Sequence, residues 1–97
     1  MIKVVYNNKI IKINGHANFA DYGKDIVCAS VSSIVYTTVN GILNINNKAI
    51  IFQDNKEIVI EVISNDDITK SLIDNMLNLL MNLAIQYPKN IKISKGD

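Results

Sequence analysis

Arginine is missing from this chain: its ten cationic side chains are all lysines, at positions 3, 9, 12, 24, 48, 56, 70, 89, 92 and 95. Tryptophan is absent too, and cysteine, histidine and proline occur once each. Each shortage removes a class of function. Without arginine there is no planar fork for bidentate recognition of phosphate. The lysines are scattered rather than gathered in a run that would track a nucleic-acid backbone, and the formal net charge is only +1. No direct nucleic-acid partner is expected. A single cysteine excludes an internal disulfide and suits a reducing compartment, so a cytoplasmic location is expected. One cysteine and one histidine do not make a tetrahedral metal site. Gly15 and Gly23 stand too far apart for a phosphate-binding glycine motif. Neither a metal nor a cofactor is expected. The opening run Met1 to Tyr6 is too short for the apolar segment of a leader. No unbroken apolar run approaches the ~18 residues of a bilayer span, so no membrane partner is expected. Nothing resembles a linker, and the 97 residues are expected to form one domain, 1–97.

What remains is an ordinary globular alternation of short apolar runs. Ile2 to Tyr6 and Lys9 to Asn14 read as two strands around Asn7-Asn8, a pair that tolerates positive φ in a hairpin turn. The second run alternates only partly, as in a strand covered on both faces. From Ile26 the apolar residues fall at Val27, Val31, Ile34, Val35, Val39 and Ile42, the mixed three-and-four spacing of one helical face. Asp25 is placed to cap that helix, which should end near Asn46-Asn47. Its β-branched residues and Gly41 lower its propensity, so burial has to hold it. Lys48 to Gln53 and Glu57 to Ile63 form a second hairpin. A second helix, capped by Asp66 or Asp67 and stopped by Pro88, carries a wide apolar face from Ile68 to Tyr87. Ile91 to Ser94 closes the chain as a last strand. The expected class is α+β, in the order β-β-α-β-β-α-β, with two helices packed on a mostly antiparallel sheet.

The chemistry concentrates between Gly15 and Ser32, which hold the only histidine and the only cysteine. His16 stands at a strand end, where reactive groups are commonly displayed. A small-residue loop, Asn18 to Lys24, separates it from Cys28, which falls in the expected first helical turn. A thiol attacks only as thiolate. The helix dipole contributes ~0.3–1 kcal/mol, against about 1.4 kcal/mol for one pKa unit. The dipole is therefore too weak to activate Cys28 alone, and His16 is the remaining partner. Backbone N–H groups at the helix start would receive an oxyanion. Gly15 and Gly23 would free the loop backbone, and Phe19 and Tyr22 would close over a substrate. Ser32, one turn beyond Cys28, would orient substrate or histidine. Asp21 or Asn14 would orient His16. The bland reading stands beside this one: a lone helical cysteine commonly packs as a small apolar residue.

Three segments, Gly15-His16-Ala17, Tyr22-Gly23-Lys24-Asp25-Ile26-Val27-Cys28-Ala29 and Val31-Ser32, resemble the ribosomal-processing cysteine protease family, Prp. The resemblance implies a compact α+β homodimer. It also implies removal of a short N-terminal extension from a large-subunit ribosomal protein, number twenty-seven of its series, by a cut after an aromatic residue. By position it makes Cys28 the nucleophile and His16 the general base, with Asp25 and Ser32 in support and the glycine-bracketed loop opening for substrate. Asn18 stands where the family pattern has glycine, and Ser30 and Ser33 stand where it has small apolar residues. Two other readings compete. A non-enzymatic, ribosome-associated binding module would ignore loss of Cys28. A single-thiol redox sensor would be modified by peroxide without cutting peptides.

Overall fold

The computed structural model describes residues 1–15 and 22–96, with residues 22–25 described by their backbone course alone. The elements run β1 (Ile2–Tyr6), β2 (Ile10–Asn14), α1 (Tyr22–Ile45), β3 (Ile50–Asp54), β4 (Ile58–Val62), α2 (Asp67–Gln86) and β5 (Ile91–Lys95). The five strands form one sheet in the order β3-β4-β2-β1-β5. Every neighbouring pair is antiparallel except β1 with β5, which run parallel, with Val4 beside Ile93. The expected class and element order are what the structure has.

Strand alternation decides which face of the sheet is covered. Ile2 and Val4 of β1, Ile11 and Ile13 of β2, Ile58 and Ile60 of β4 and Ile91 of β5 are buried, and all point toward the helices. Lys3, Lys12, Asn14, Glu61 and Lys92 point the other way and are exposed. β2 is thus covered on one face only, and its Ile10 and Lys12 lie on the open side, contrary to the two-sided burial its run of apolar residues implied. On that open face Lys3 stands directly opposite Lys92. Lysines far apart in the chain are neighbours there.

α1 lays Val27, Val31, Val35, Val39 and Ile42 on the sheet, each at most 2% exposed. Ile34, from the same periodic set, reaches only the margin of the core. Burying a side chain of this size is worth roughly 1.5–3 kcal/mol. Five such residues outweigh the propensity cost of the β-branched residues and of Gly41, about 1 kcal/mol for the glycine. The ring of Tyr36 meets that of Phe52 edge to face at 5.3 Å, tying α1 to β3. By length and composition alone, Ile26–Ile45 is apolar enough to cross a bilayer, with a mean hydropathy of 1.6. Polar residues interrupt the stretch, so it does not stand out as one unbroken apolar run. In the fold its apolar stripe is spent on the sheet.

α2 packs Ile73, Met76, Leu77 and Leu80 into the same core. Its apolar face is narrower than expected, since Ile68, Leu79 and Tyr87 remain at least 36% exposed. Asp66 is the residue that caps it: a carboxylate oxygen accepts the Thr69 N–H at 2.7 Å. The Ser64 hydroxyl donates to the other oxygen. These bonds, the one from Ser64 first, hold the Asp66 carboxyl below the usual carboxylate range. At the far end the Tyr87 N–H returns to the Leu83 carbonyl at 2.9 Å, and Pro88 prevents continuation.

The first hairpin works by a different device from the one its asparagines suggested. No non-glycine residue has positive φ among the described residues. Instead the Asn7 side-chain oxygen accepts the N–H groups of Lys9 and Ile10, at 2.8 and 2.9 Å. The side chain imitates a turn carbonyl.

Candidate active site

The strands place one edge of the molecule as the chemical edge. β1 and β5 are parallel and start there, and the antiparallel β2 ends there. Val27 and Cys28 of α1 arrive at the same place. Together Met1, Ile2, Gly15, Val27, Cys28 and the Lys89-Asn90 pair line a recess of about 80 Å³. A far larger cleft, about 520 Å³, opens at the other end of the strands beside Tyr6, Lys9 and Lys70. That cleft is larger than the recess, but it holds no thiol. Chemistry favours the small recess.

Cys28 is half-buried and packs partly against the core. Its neighbour Val27 is fully buried and fixes the turn of α1 that carries it. The cysteine therefore does both things weighed from the sequence: one side packs, and the other lines the recess. Gly15 sits across from it in the left-handed region, at φ 81°. A Cβ at Gly15 would run into the carbonyl oxygen of Met1. Only glycine lets the end of β2 bend over the start of β1 at this point.

The start of α1 requires a correction. The helix begins at Tyr22, not at Ile26. Asp25 is the fourth residue of its backbone and so is not the N-cap. Tyr22 and Gly23 belong to the helix rather than to the loop. Cys28 lies in the second turn, where the dipole has largely fallen away. Its N–H belongs to the helical ladder and is not among the unpaired amides of a helix start. The oxyanion site expected from those amides is therefore not available at Cys28. Tyr22-Gly23-Lys24 carries no apolar period, and its glycine is a residue type common in loops, so the sequence pattern does not announce this first turn.

Ser32 follows Cys28 by one turn and is half-buried. The amide nitrogen of Asn14 donates to a Glu57 carboxylate oxygen at 3.2 Å. His16, Phe19 and Asp21 lie outside the described residues, as do the side chains of Tyr22 and Asp25. His16 follows Gly15 directly in sequence. No group of three or more metal-ligating side chains occurs among the described residues. Lys89 and Asn90 were not singled out from the sequence. They carry no motif, and only the pairing of β5 with β1 brings them to the recess.

The comparisons with known proteins give this geometry its class. The family model for the cysteine protease Prp matches residues 1–92. The ribosomal processing cysteine protease Prp of Staphylococcus aureus is 30% identical over 86 residues, covering 84% of this chain and 81% of that protein. The protein of the same name from Mycoplasma genitalium is 32% identical over an alignment of 101 residues, covering 98% of this chain and 96% of the relative. A crystal structure of the Staphylococcus aureus protease with a substrate peptide superposes with a TM-score of 0.85 at 22% identity, over 98% of this chain and 97% of the other. A Streptococcus mutans protein superposes with a TM-score of 0.84 at 24% identity, over 97% and 90%. The fold and these relatives define a thiol-dependent peptidase. The chain belongs to the Prp family of ribosomal-processing cysteine proteases.

Proposed function

We propose that this protein removes the N-terminal extension from the precursor of large-subunit ribosomal protein number twenty-seven, with Cys28 as nucleophile and His16 as general base. The observation that carries the reading is that the only cysteine of a Prp-family chain lines a recess beside Gly15, the residue preceding the only histidine. The substrate peptide presents its scissile carbonyl to the Cys28 sulfur. His16 accepts the thiol proton and returns it to the departing amine. Asp25 and Ser32 support the pair, one on each side of Cys28 along α1. Gly15, Gly23, Phe19 and Tyr22 shape the segment that admits the peptide. No metal or cofactor enters, the partner is a peptide rather than RNA or a membrane, and the protein works in the cytoplasm as a single domain, residues 1–97.

The homodimer belongs to the same proposal. A shallow groove runs between α1 and α2 past Ile26, Ile34, Leu79 and Leu83. Ile26 and Leu79 are 59% and 42% exposed. Apolar surface of this kind supports a second copy as its cover. Light scattering at micromolar concentration should return twice the chain mass; a monomer throughout would remove the dimer from the reading.

The substrate assignment is tested by incubating the protein with the ribosomal precursor of its own organism and weighing the products by mass spectrometry. A single cut after an aromatic residue near the precursor's N-terminus is expected, and a precursor lacking the extension should remain intact. Cuts scattered along a denatured chain, or none at all, would refute the assignment.

A further inference from the structure

The displaced start of α1 leaves a chemical gap, and the recess contains groups that fill it. Attack by a thiolate forms the carbon–sulfur bond and moves the carbonyl π pair onto oxygen. That oxyanion needs donors fixed in advance. The amide of Cys28 lies within the helical ladder, so α1 does not supply them in the way a helix start would. Among the described residues that line the recess, the polar side chains besides Cys28 come from the turn before β5.

Asn90 is held there by its backbone. Its N–H donates to the Tyr87 carbonyl at 2.9 Å, and its carbonyl accepts from Ile2 N–H at 2.8 Å. The next amide, Ile91 N–H, also returns to Tyr87 at 3.2 Å. Both flanks of Asn90 are therefore tied down, one to the C-terminal end of α2 and the other to β1. Asn90 is half-buried, and its side-chain amide makes no hydrogen bond among the described residues. An amide with two spare N–H donors, on a pinned backbone, in a half-buried residue that lines the same recess as the only thiol, is suited to an oxyanion. Lys89 next to it is exposed, lines the same recess and has no ion-pair partner among the described residues. Among the described residues, those that line the recess include no carboxylate.

We propose that the Asn90 side chain donates to the oxyanion formed at Cys28 and that Lys89 holds the carboxylate left by hydrolysis. The sequence of bonds is consistent with this placement. Collapse of the tetrahedral intermediate restores the carbonyl, breaks the carbon–nitrogen bond and releases the amine with the proton that the general base took from the thiol. Water then attacks the thioester, its proton passing to the same base. The carbon–sulfur bond breaks, the thiol is restored, and the released fragment ends in a carboxylate beside Lys89. This inference rests on the protease reading above for its Asn90 half. Its Lys89 half has a test that does not need turnover.

Two measurements separate the possibilities. In peptide cleavage, Asn90→Ala and Asn90→Asp should each lower kcat by about 100-fold with little change in KM, the size of effect a lost oxyanion donor has. Asn90→Gln should recover part of the loss. Alkylation of Cys28 by neutral iodoacetamide should proceed at the wild-type rate in Asn90→Ala and Asn90→Gln, because that reaction builds no oxyanion and neither exchange changes the charge in the recess. An unchanged kcat would overturn the Asn90 assignment, and so would a parallel fall in kcat and in the iodoacetamide rate, which would mark a structural role. For Lys89, the ratio of iodoacetate to iodoacetamide rates should fall several-fold in Lys89→Met and return in Lys89→Arg. A ratio that ignores the charge at position 89 would overturn that half. Should the wild-type protein cut no peptide, the protease reading fails, while the alkylation ratio still decides whether Lys89 draws anions to Cys28.

Discussion

Cys28→Ala should leave a folded protein that no longer cuts peptide. The expected loss in kcat is on the order of a million-fold, as when the nucleophile of another protease is removed. Stability should barely change, and the reason lies in how the side chain is placed. Cys28 is half-buried and only partly packed against the core. Removing its sulfur forfeits a fraction of a fully buried side chain, about 0.5–1 kcal/mol. Alanine returns several tenths of that as a better helix former. For a domain of this size, 1 kcal/mol corresponds to roughly 4–8 °C in melting temperature, so the shift should stay under about 5 °C. Circular dichroism melts and a mass-spectrometric cleavage assay on the same preparation check both halves. Persistent cleavage would move the nucleophile elsewhere. A collapsed melting temperature would return Cys28 to the role of a core residue whose loss says nothing about chemistry.

The fold was legible in the sequence wherever burial writes a period. The row Val27, Val31, Val35, Val39, Ile42 could be read directly and is the row that meets the sheet. The strands were equally plain, because each is a short β-branched run between asparagines, aspartates or glycine. What could not be read was set by contacts distant in sequence. Ala49 looked like a strand residue, yet it precedes β3 and is buried, and its carbonyl accepts N–H groups from Ile63 and Ser64 beyond β4. Thr69 is polar and nonetheless 3% exposed, because the Asp66 cap turns it inward. The parallel pairing of β1 with β5 leaves no local mark, since it joins the two ends of the chain.

The site divides along the same line. Cys28 stood out because it is the only thiol, and Gly15 because it ends a strand next to the only histidine. Both line the recess. Asp25 looks like a cap because it stands directly before Ile26 and two residues before Val27, where the apolar row begins. The helix begins three residues earlier on Tyr22-Gly23-Lys24, which no hydrophobic period announces. Asn14 ends β2, and its amide nitrogen donates to Glu57, a partner 43 residues away that no local pattern announces. Lys89 and Asn90 could not have been found by spacing. They are about sixty residues from Cys28 in the chain and reach it only because the last strand lies against the first. The lysines taught the same lesson, since Lys3 and Lys92 are register partners on the open face of the sheet.

Gly15→Ala should be the most damaging single-methyl change near the site. Two costs add. An L-residue held at φ 81° is strained by ~1–3 kcal/mol. The new methyl also meets the Met1 carbonyl oxygen, with the Met1 carbonyl carbon at 3.3 Å and the Ile2 Cα at 3.6 Å, all backbone atoms with no rotamer to yield. Relief requires the start of β1 to move off the end of β2. A destabilisation of about 2–4 kcal/mol follows, or a fall in melting temperature of more than about 10 °C. Because Met1, Ile2 and Gly15 line the recess with Cys28, kcat/KM should fall even at temperatures where the variant is fully folded. Gly41→Ala is the control. That glycine sits inside α1 with nothing within 4 Å of where its methyl would go. The exchange should therefore raise stability by about 0.5–1 kcal/mol through helix propensity alone, with cleavage unchanged. The two variants change the same atom count in opposite settings, so equal behaviour in thermal melts and in cleavage would mean that the left-handed bend at Gly15 is not what holds the strand ends at the thiol.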